Sequence, residues 1–202
     1  MESYAPHRWQ DEDRGYPVLH LDDVSGIPFV QEVSGVEEYQ HRARVRARSE
    51  DLFVAVTPQS DGYEEYCRSV LGLGTPEFVL ADGGDHDFAV ARACLGDPAF
   101  DRFVTRARAA GGLLIHPYMA IEQVWELAAR ISAEAGVPVQ VVGPPPPVLW
   151  VANDKAALTE IVTRVLSPEW IVESQATVEP VVMAEQLTLS LIHISEPTRP
   201  PS

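Results

Sequence analysis

The sequence predicts an α/β protein with an open, mostly parallel, Rossmann-like sheet flanked by helices. Short apolar runs alternate with segments of helical periodicity from about residue 50 to residue 166. This is the pattern of parallel strands joined by helical crossovers. Glycine and proline punctuate many of the junctions, as turns between such elements require. The chain of 202 residues is 46% hydrophobic, which is enough to bury a core of ordinary domain size.

Five short apolar runs before residue 143 are strand candidates, and residues 170–172 are a further one. The five span residues 18–21, 52–56, 77–80, 113–116 and 137–142. In an open parallel sheet the ligand crevice lies beyond the carboxyl ends of the strands. We therefore expect the loops at residues 57–58, 82–87, 116–118 and 143–154 to gather at one edge of the sheet.

Helical patterns occupy most of the intervals between these runs. They cover residues 36–48, 60–71, 86–95, 98–110, 121–131 and 155–166. The first pattern carries Arg42, Arg44, Arg46 and Arg48, a spacing that spreads guanidinium groups around an α-helix. We favour a solvated surface helix whose arginines offset nearby glutamates. The alternative is a surface that binds anions or an acidic partner.

The charge balance limits the classes of partner. The formal net charge is -15 and the pI is about 4.7, so binding to nucleic acid or to an anionic membrane is not expected. A small-molecule substrate is the expected partner, and homo-oligomerisation stays open. The cysteines, Cys67 and Cys94, form no motif of a metal or disulfide framework. The sequence shows neither a secretory signal nor a membrane span, so we expect a cytoplasmic protein.

Lys155 is the only lysine in the chain. It follows Asn153 and Asp154, either of which can cap the helix predicted at residues 155–166. A cation in the first turn is disfavoured by the helix dipole by about 0.3–1 kcal/mol, whereas a bound anion would reverse that sign. Lysine and the free N–H groups of a helix start together favour a phosphate site. The alternative is a solvated surface lysine.

The run from Gly143 through four prolines to Trp150, Val151, Ala152, Asn153, Asp154 and Lys155 resembles the end of the pre-ATP-grasp domain of ATP-grasp ligases. The resemblance covers about residues 50–175 and implies ATP and Mg²⁺ as cofactors. It also implies that Lys155 contacts the nucleotide phosphates, with Asn153 and Asp154 shaping the turn. The family usually has glycine where this chain has Asn153, which leaves the subfamily open. The apolar residues before this turn predict a strand.

Three other groups of residues invite a chemical interpretation. Asp22 and Asp23 suit a metal, but adjacent acids at a strand end more often form a turn or a helix cap. The loop at residues 82–87 has the residue types of a cation site but not the spacing of an EF-hand or a zinc site. We favour a glycine-containing turn there and assign no metal ligand. His116 is a candidate substrate contact or proton carrier, although a hydrogen-bonded structural histidine is the commoner case.

The resemblance divides the chain into four parts. We expect a flexible arm at residues 1–17, a pre-ATP-grasp α/β domain at 18–152 and the start of a truncated ATP-grasp domain at 153–188. Residues 189–202 resemble the translation of a sequencing-library adapter and are set apart from the fold. The second phosphate-binding lysine and the magnesium ligands of the family cannot be assigned in residues 156–188. We therefore expect the fragment to be inactive on its own.

Three functions remain open at this stage. The first is the front part of an ATP-dependent carboxylate–amine ligase, as the resemblance implies. The second is a non-catalytic α/β binding or interaction module, in which Lys155 has no role. The third is an unrelated Rossmann-like enzyme that uses His116. Neither the dinucleotide fingerprint nor the Walker lysine pattern occurs, so the two commonest nucleotide-binding motifs are absent.

Overall fold

The computed structural model describes residues 15–84, 88–96, 98–167, 181 and 184. The chain divides into two compact units, residues 1–150 and residues 151–202. Most of the predicted arm, residues 85–87 of the predicted loop, the strand candidate at residues 170–172 and the whole adapter-like tail lie outside the described residues.

Five parallel strands form the sheet of the first unit, and all five occur where the apolar runs predict them. They are β1 (Val18–Leu21), β2 (Leu52–Ala55), β3 (Glu77–Leu80), β4 (Leu113–Pro117) and β5 (Val139–Val141). Their order in the sheet is β3-β2-β1-β4-β5. The predicted open parallel α/β fold is therefore confirmed.

Helices connect the strands. The α-helices are α1 (Tyr63–Ser69), α2 (Val90–Ala93), α3 (Ala99–Ala110), α4 (Glu122–Ala135), α5 (Pro146–Asn153) and α6 (Lys155–Val165). A long 3₁₀ helix, here called the arginine helix, spans Val36–Arg46, and a single 3₁₀ turn spans Val30–Glu32. None of the helices in the described parts of the chain has the length and apolar character that crossing a membrane requires.

The two faces of the sheet are covered by different elements. Leu52 and Val54 of β2 lie in the main core, to which α2, α3 and α4 also contribute. Phe53 points to the opposite face, where it packs against Ala43 and Ala47 beside the arginine helix. This alternation follows from the two-residue period of a strand. The central strands β1 and β2 are buried on both faces, as their apolar runs predict, whereas the edge strands β3 and β5 are partly exposed.

The arginine helix differs from the predicted solvated helix. Arg44 is fully buried, and its Nε and Nη2 donate to Glu64 of α1 at 2.6 and 2.9 Å. Nη2 also donates to the Gly74 carbonyl at 2.7 Å. The interpretation of these arginines as a solvated face was therefore wrong. In a 3₁₀ helix, with three residues per turn, Arg42, Arg44 and Arg46 project in three directions, so one of them points inward.

The apolar run before Lys155 is helix α5 and not a strand, so that expectation was also wrong. Pro146 and Pro147 stand in the first turn of α5, where the missing N–H groups cost nothing and the fixed φ of proline suits a helix. Leu149 is buried in the core, while Val148 and Val151 are exposed. One buried face suits an amphipathic helix, whereas a strand inside this sheet would bury both faces.

Candidate functional site at the carboxyl edge of the sheet

The strand order places the topological switch point of the sheet between β1 and β4. The chain runs from β1 through β2 to β3 at one edge of the sheet, then returns to β4 and β5 on the other side of β1. The loops after β1 and β4 leave the sheet in opposite directions, and ligands of open α/β proteins bind at such a switch point. Here the residues that follow the two strands are Asp22 and Tyr118.

Asp22 is buried at this switch point and pairs with two arginines. Arg46 donates from Nη1 to Asp22 Oδ2 at 3.3 Å and from Nη2 to Oδ1. The Nε of Arg42 lies 3.6 Å from the same Oδ2. The arginine helix thus brings two guanidinium groups to a single carboxylate, and these hydrogen bonds compensate the burial of the Asp22 side chain.

Two tyrosine rings lie close to Arg42. Its guanidinium carbon is 4.6 Å from the ring centroid of Tyr39 and 4.5 Å from that of Tyr118, within the range of cation–π attraction. The Tyr118 N–H donates to the Leu21 carbonyl at 2.9 Å, which extends the β1–β4 pairing and fixes the start of that loop. Arg42 also donates from Nε to the Tyr39 carbonyl at 3.0 Å.

Asp23 has a different role from its neighbour. One of its oxygens accepts from the Ser25 N–H at 2.8 Å, and the other accepts from the Ala91 N–H of α2 at 2.7 Å. This is the predicted turn and helix-capping role, with the capped helix far away in sequence. Burial raises the pKa of the Asp23 carboxyl above its usual range, while these hydrogen bonds oppose the rise. Among the described residues, there is no group of three or more histidine, cysteine, aspartate or glutamate side chains that could hold a metal ion.

The loop after β2 is attached to the arginine helix. Gln40 donates from Nε2 to the Thr57 hydroxyl at 2.9 Å, and its side-chain Oε1 accepts from the Val56 N–H at 2.6 Å. His41 Nε2 lies 3.1 Å from the same hydroxyl. Burial lowers the pKa of His41 below its usual value, so this imidazole is neutral at neutral pH.

His116 lies inside the sheet, one residue before the end of β4. It is half-buried and pairs in register with His20 of β1, with the two ring centroids 5.4 Å apart. His20 in turn contacts Asp51, at 3.2 Å from Nε2 to Oδ2. A role of His116 in substrate binding stays a prediction. Tyr118, two residues after His116, is the residue that contacts Arg42.

Asp154, Lys155 and Asn153 belong to the second unit. Asp154 caps α6, as predicted, and its Oδ1 accepts from the N–H groups of Ala156 and Ala157 at 2.9 and 3.0 Å. Asn153 ends α5, and Lys155 is the exposed first residue of α6. Two of the N–H groups expected to be free for a phosphate are therefore taken by the cap. The first turn of α6 contains no acidic residue, so the Lys155 ammonium is available to an anion.

Loss of this cap should weaken α6. Replacing Asp154 by alanine is expected to lower the stability of the helix by about 1 kcal/mol, because two N–H groups lose their acceptor. Circular dichroism of a peptide spanning residues 150–167 would measure the loss as lower helicity. The Asp154→Asn peptide, which keeps a capping oxygen, should retain most of the helicity. Equal helicity in all three peptides would contradict the capping role.

Comparison with known families identifies part of this chain. Residues 40–133 match the family model of the Pre ATP-grasp domain. This part of the chain is therefore similar to a pre-ATP-grasp domain. The match to the pre-ATP-grasp domain runs from the arginine helix into α4 and includes Arg42, Arg46 and Tyr118, whereas Asp22 and Lys155 lie outside it. No curated protein and no solved structure matches the chain significantly.

Reasoning from the sequence missed Asp22, Arg42 and Tyr118 as members of one cluster. Two signals for it were present, because Asp22 and Tyr118 each follow a predicted strand and the arginines belong to a predicted helix between strands. Their meeting depends on β4 pairing with β1, and the strand order cannot be read from local pattern.

Proposed function

We propose that the chain is the N-terminal part of an ATP-grasp carboxylate–amine ligase that binds ATP when intact. The observation that supports this most is the match to the pre-ATP-grasp domain, followed in sequence by a capped helix that begins at the only lysine. In the parent enzyme, ATP would supply the phosphoryl group that activates a carboxylic acid for transfer to an amine.

Lys155 is the residue of this chain that fits a nucleotide phosphate. Its side chain is exposed at the start of α6, where the positive end of the helix dipole adds to the attraction for an anion. The Asp154 carboxylate occupies two N–H groups of the same turn, so the contact proposed here is with the lysine ammonium. Asp154 then acts by holding the turn, with Asn153 before it.

The described residues support the binding of magnesium less well than the binding of a nucleotide phosphate. Among the residues that the structure describes, no cluster of acidic, histidine or cysteine side chains could hold the ion. We therefore assign no magnesium ligand and propose that any Mg²⁺ arrives with the nucleotide, bound by ligands that this part of the chain does not supply.

Nucleotide binding tests the proposal. Mg-ATP is expected to raise the unfolding temperature of the full chain, and Lys155→Ala should weaken the affinity about tenfold because one charge-assisted contact to phosphate is lost. Isothermal titration calorimetry would supply the two dissociation constants. Arg164→Ala is a matched control, since it removes one exposed cation from the last turn of the same helix. This control should bind as the unchanged chain does.

Two other results would favour other functions. If Mg-ATP stabilises neither the unchanged chain nor Lys155→Ala, a non-catalytic binding module is the better interpretation. If the protein has an activity that His116→Ala abolishes and Lys155→Ala leaves intact, an unrelated enzyme is favoured. ATP-dependent ligation by residues 1–188 alone would contradict the expectation that this fragment is inactive.

A further inference from the structure

The cluster at the β1–β4 switch point contains more positive than negative charge. Asp22 is one carboxylate, and both Arg42 and Arg46 approach its Oδ2. The neighbouring acid, Asp23, is directed to Ser25 and to the start of α2. One guanidinium charge is therefore left in excess at this point, in a chain whose formal net charge is -15.

Two donors of the same cluster lack an acceptor. Nη2 of Arg42 and Nε of Arg46 are buried, and neither has a hydrogen-bond partner within the described residues. A buried donor without a partner costs about 1–3 kcal/mol, and more when it is charged. A water molecule or a bound ligand would supply the missing acceptor.

The surroundings of Arg42 restrict the shape of that acceptor. The rings of Tyr39 and Tyr118 both lie within 4.6 Å of the guanidinium carbon, and both tyrosines are partly exposed. A polar group meets a guanidinium at the edge of its plane, where the N–H groups point. A flat carboxylate matches that edge with two parallel hydrogen bonds. The adjacent tyrosine rings suit an apolar or aromatic body attached to it.

We propose that Arg42 and Arg46, positioned by Asp22 and flanked by Tyr39 and Tyr118, form a binding site for a small-molecule carboxylate at the β1–β4 switch point. The site lies in the first unit and is independent of Lys155. The inference rests on the proposed function only in suggesting that the bound carboxylate belongs to a substrate of the ligase. As a binding site it depends on the Arg42 cluster alone.

Titration with sodium benzoate, a flat aromatic carboxylate, tests the site. The full chain, labelled with ¹⁵N, is titrated at constant ionic strength while the arginine Nε–H signals are followed by nuclear magnetic resonance. We expect saturable shifts of the Arg42 and Arg46 signals. Arg42→Gln should weaken benzoate binding at least tenfold. Arg42→Lys, which keeps the charge but loses the planar fork, should also weaken it.

A matched control comes from the other end of the sheet. Arg102 is an exposed arginine that pairs with Glu77 at the amino end of β3, at 3.6 Å from Nη1 to Oε1. Arg102→Gln removes the same charge and should leave benzoate affinity unchanged. If Arg42→Gln fails to fold, Tyr118→Ala provides the second variant. It removes one flanking ring and should also weaken binding.

The outcomes separate the possible conclusions. Shifts that do not saturate, or that persist in Arg42→Gln, would overturn the site. Tighter binding of inorganic phosphate than of benzoate would overturn its assignment to a carboxylate. Benzoate binding without Mg-ATP binding would reject the proposed ligase function and leave the site in place. Mg-ATP binding that depends on Lys155, without benzoate binding, would reject only the site.

Discussion

Replacing Glu64 by alanine is expected to lower the free energy of unfolding by about 2–3 kcal/mol, because a fully buried arginine then loses its carboxylate. Arg44 has no exposed side-chain surface, and Glu64 is 39% exposed. The partial exposure of Glu64 reduces the expected loss below the range for a fully buried pair. Hydrogen bonding to Glu64 raises the pKa of Arg44 above its usual range, so Arg44 cannot avoid the penalty by losing its proton. Urea unfolding would measure the change.

Two controls make that result interpretable. Glu65→Ala removes the adjacent glutamate, which pairs with Arg68 at the surface, and should change the free energy of unfolding little, because exposed ion pairs contribute little. The double variant Arg44→Met with Glu64→Leu replaces the pair by apolar groups and should recover most of the loss. A Glu64→Ala effect no larger than that of Glu65→Ala would contradict the role of Arg44 as a buried ion-pair partner.

Replacing Asp51 by alanine is expected to cost about 3 kcal/mol. Asp51 is buried at the start of β2 and accepts from the Val18 N–H at 3.1 Å, from the Arg48 N–H at 2.9 Å and from His20 Nε2. Removing the carboxylate withdraws an acceptor from these three groups, and each buried donor that loses one costs about 1–3 kcal/mol if nothing replaces it. Asp51 also joins β1 to the segment before β2, so the loss should lower the stability of the whole sheet.

The same carboxylate should make the free energy of unfolding decrease at acid pH. Although burial acts to raise the pKa of Asp51, its hydrogen bonds to His20, Arg48 and Val18 lower it below the usual value of 3.8 overall. A lowered folded-state pKa stabilises the protein above the unfolded-state value. That contribution is lost as the pH falls from about 3.8 through the folded-state pKa.

Urea unfolding at a series of pH values measures this dependence. The difference in stability between the unchanged chain and Asp51→Asn should shrink as the pH falls through this window. Glu126→Gln, an exposed acid on α4, serves as the control and should leave the curve unchanged. Asp23, whose pKa is raised, contributes in the opposite direction. A pH-independent difference between the unchanged chain and Asp51→Asn would contradict the assignment.

Elements that form through residues close together in the sequence were predicted more accurately than contacts between residues far apart in the sequence. The bounds of β1 and β3 were predicted to the residue, because each is a short, mostly apolar segment followed by a loop-like sequence. The strand candidate for β5 was two residues too long at its start. For α5, a compact apolar run proved ambiguous between strand and helix, and the prolines at its start should have decided the matter.

The candidate sites show the same dependence. Asp154 was predicted as a cap because an N-cap is formed by residues adjacent in the chain. The partners of the arginine helix could not be predicted in that way. Arg46 and Asp22 are 24 residues apart, and Arg44 and Glu64 are 20 residues apart. Local periodicity carries no information on such pairs, so a solvated helix was the natural but wrong expectation.

By itself the sequence determined the fold class, the five strands, the cap before Lys155 and the resemblance to a pre-ATP-grasp domain. Each of these depends on residues close together in the chain, through periodicity, turn chemistry or a short motif. Only the tertiary structure shows that Asp22, Arg42, Arg46 and Tyr118 lie in one cluster. It also shows that Arg44 is buried. Those contacts exist because β4 returns to pair with β1 and a 3₁₀ helix turns its arginines in three directions.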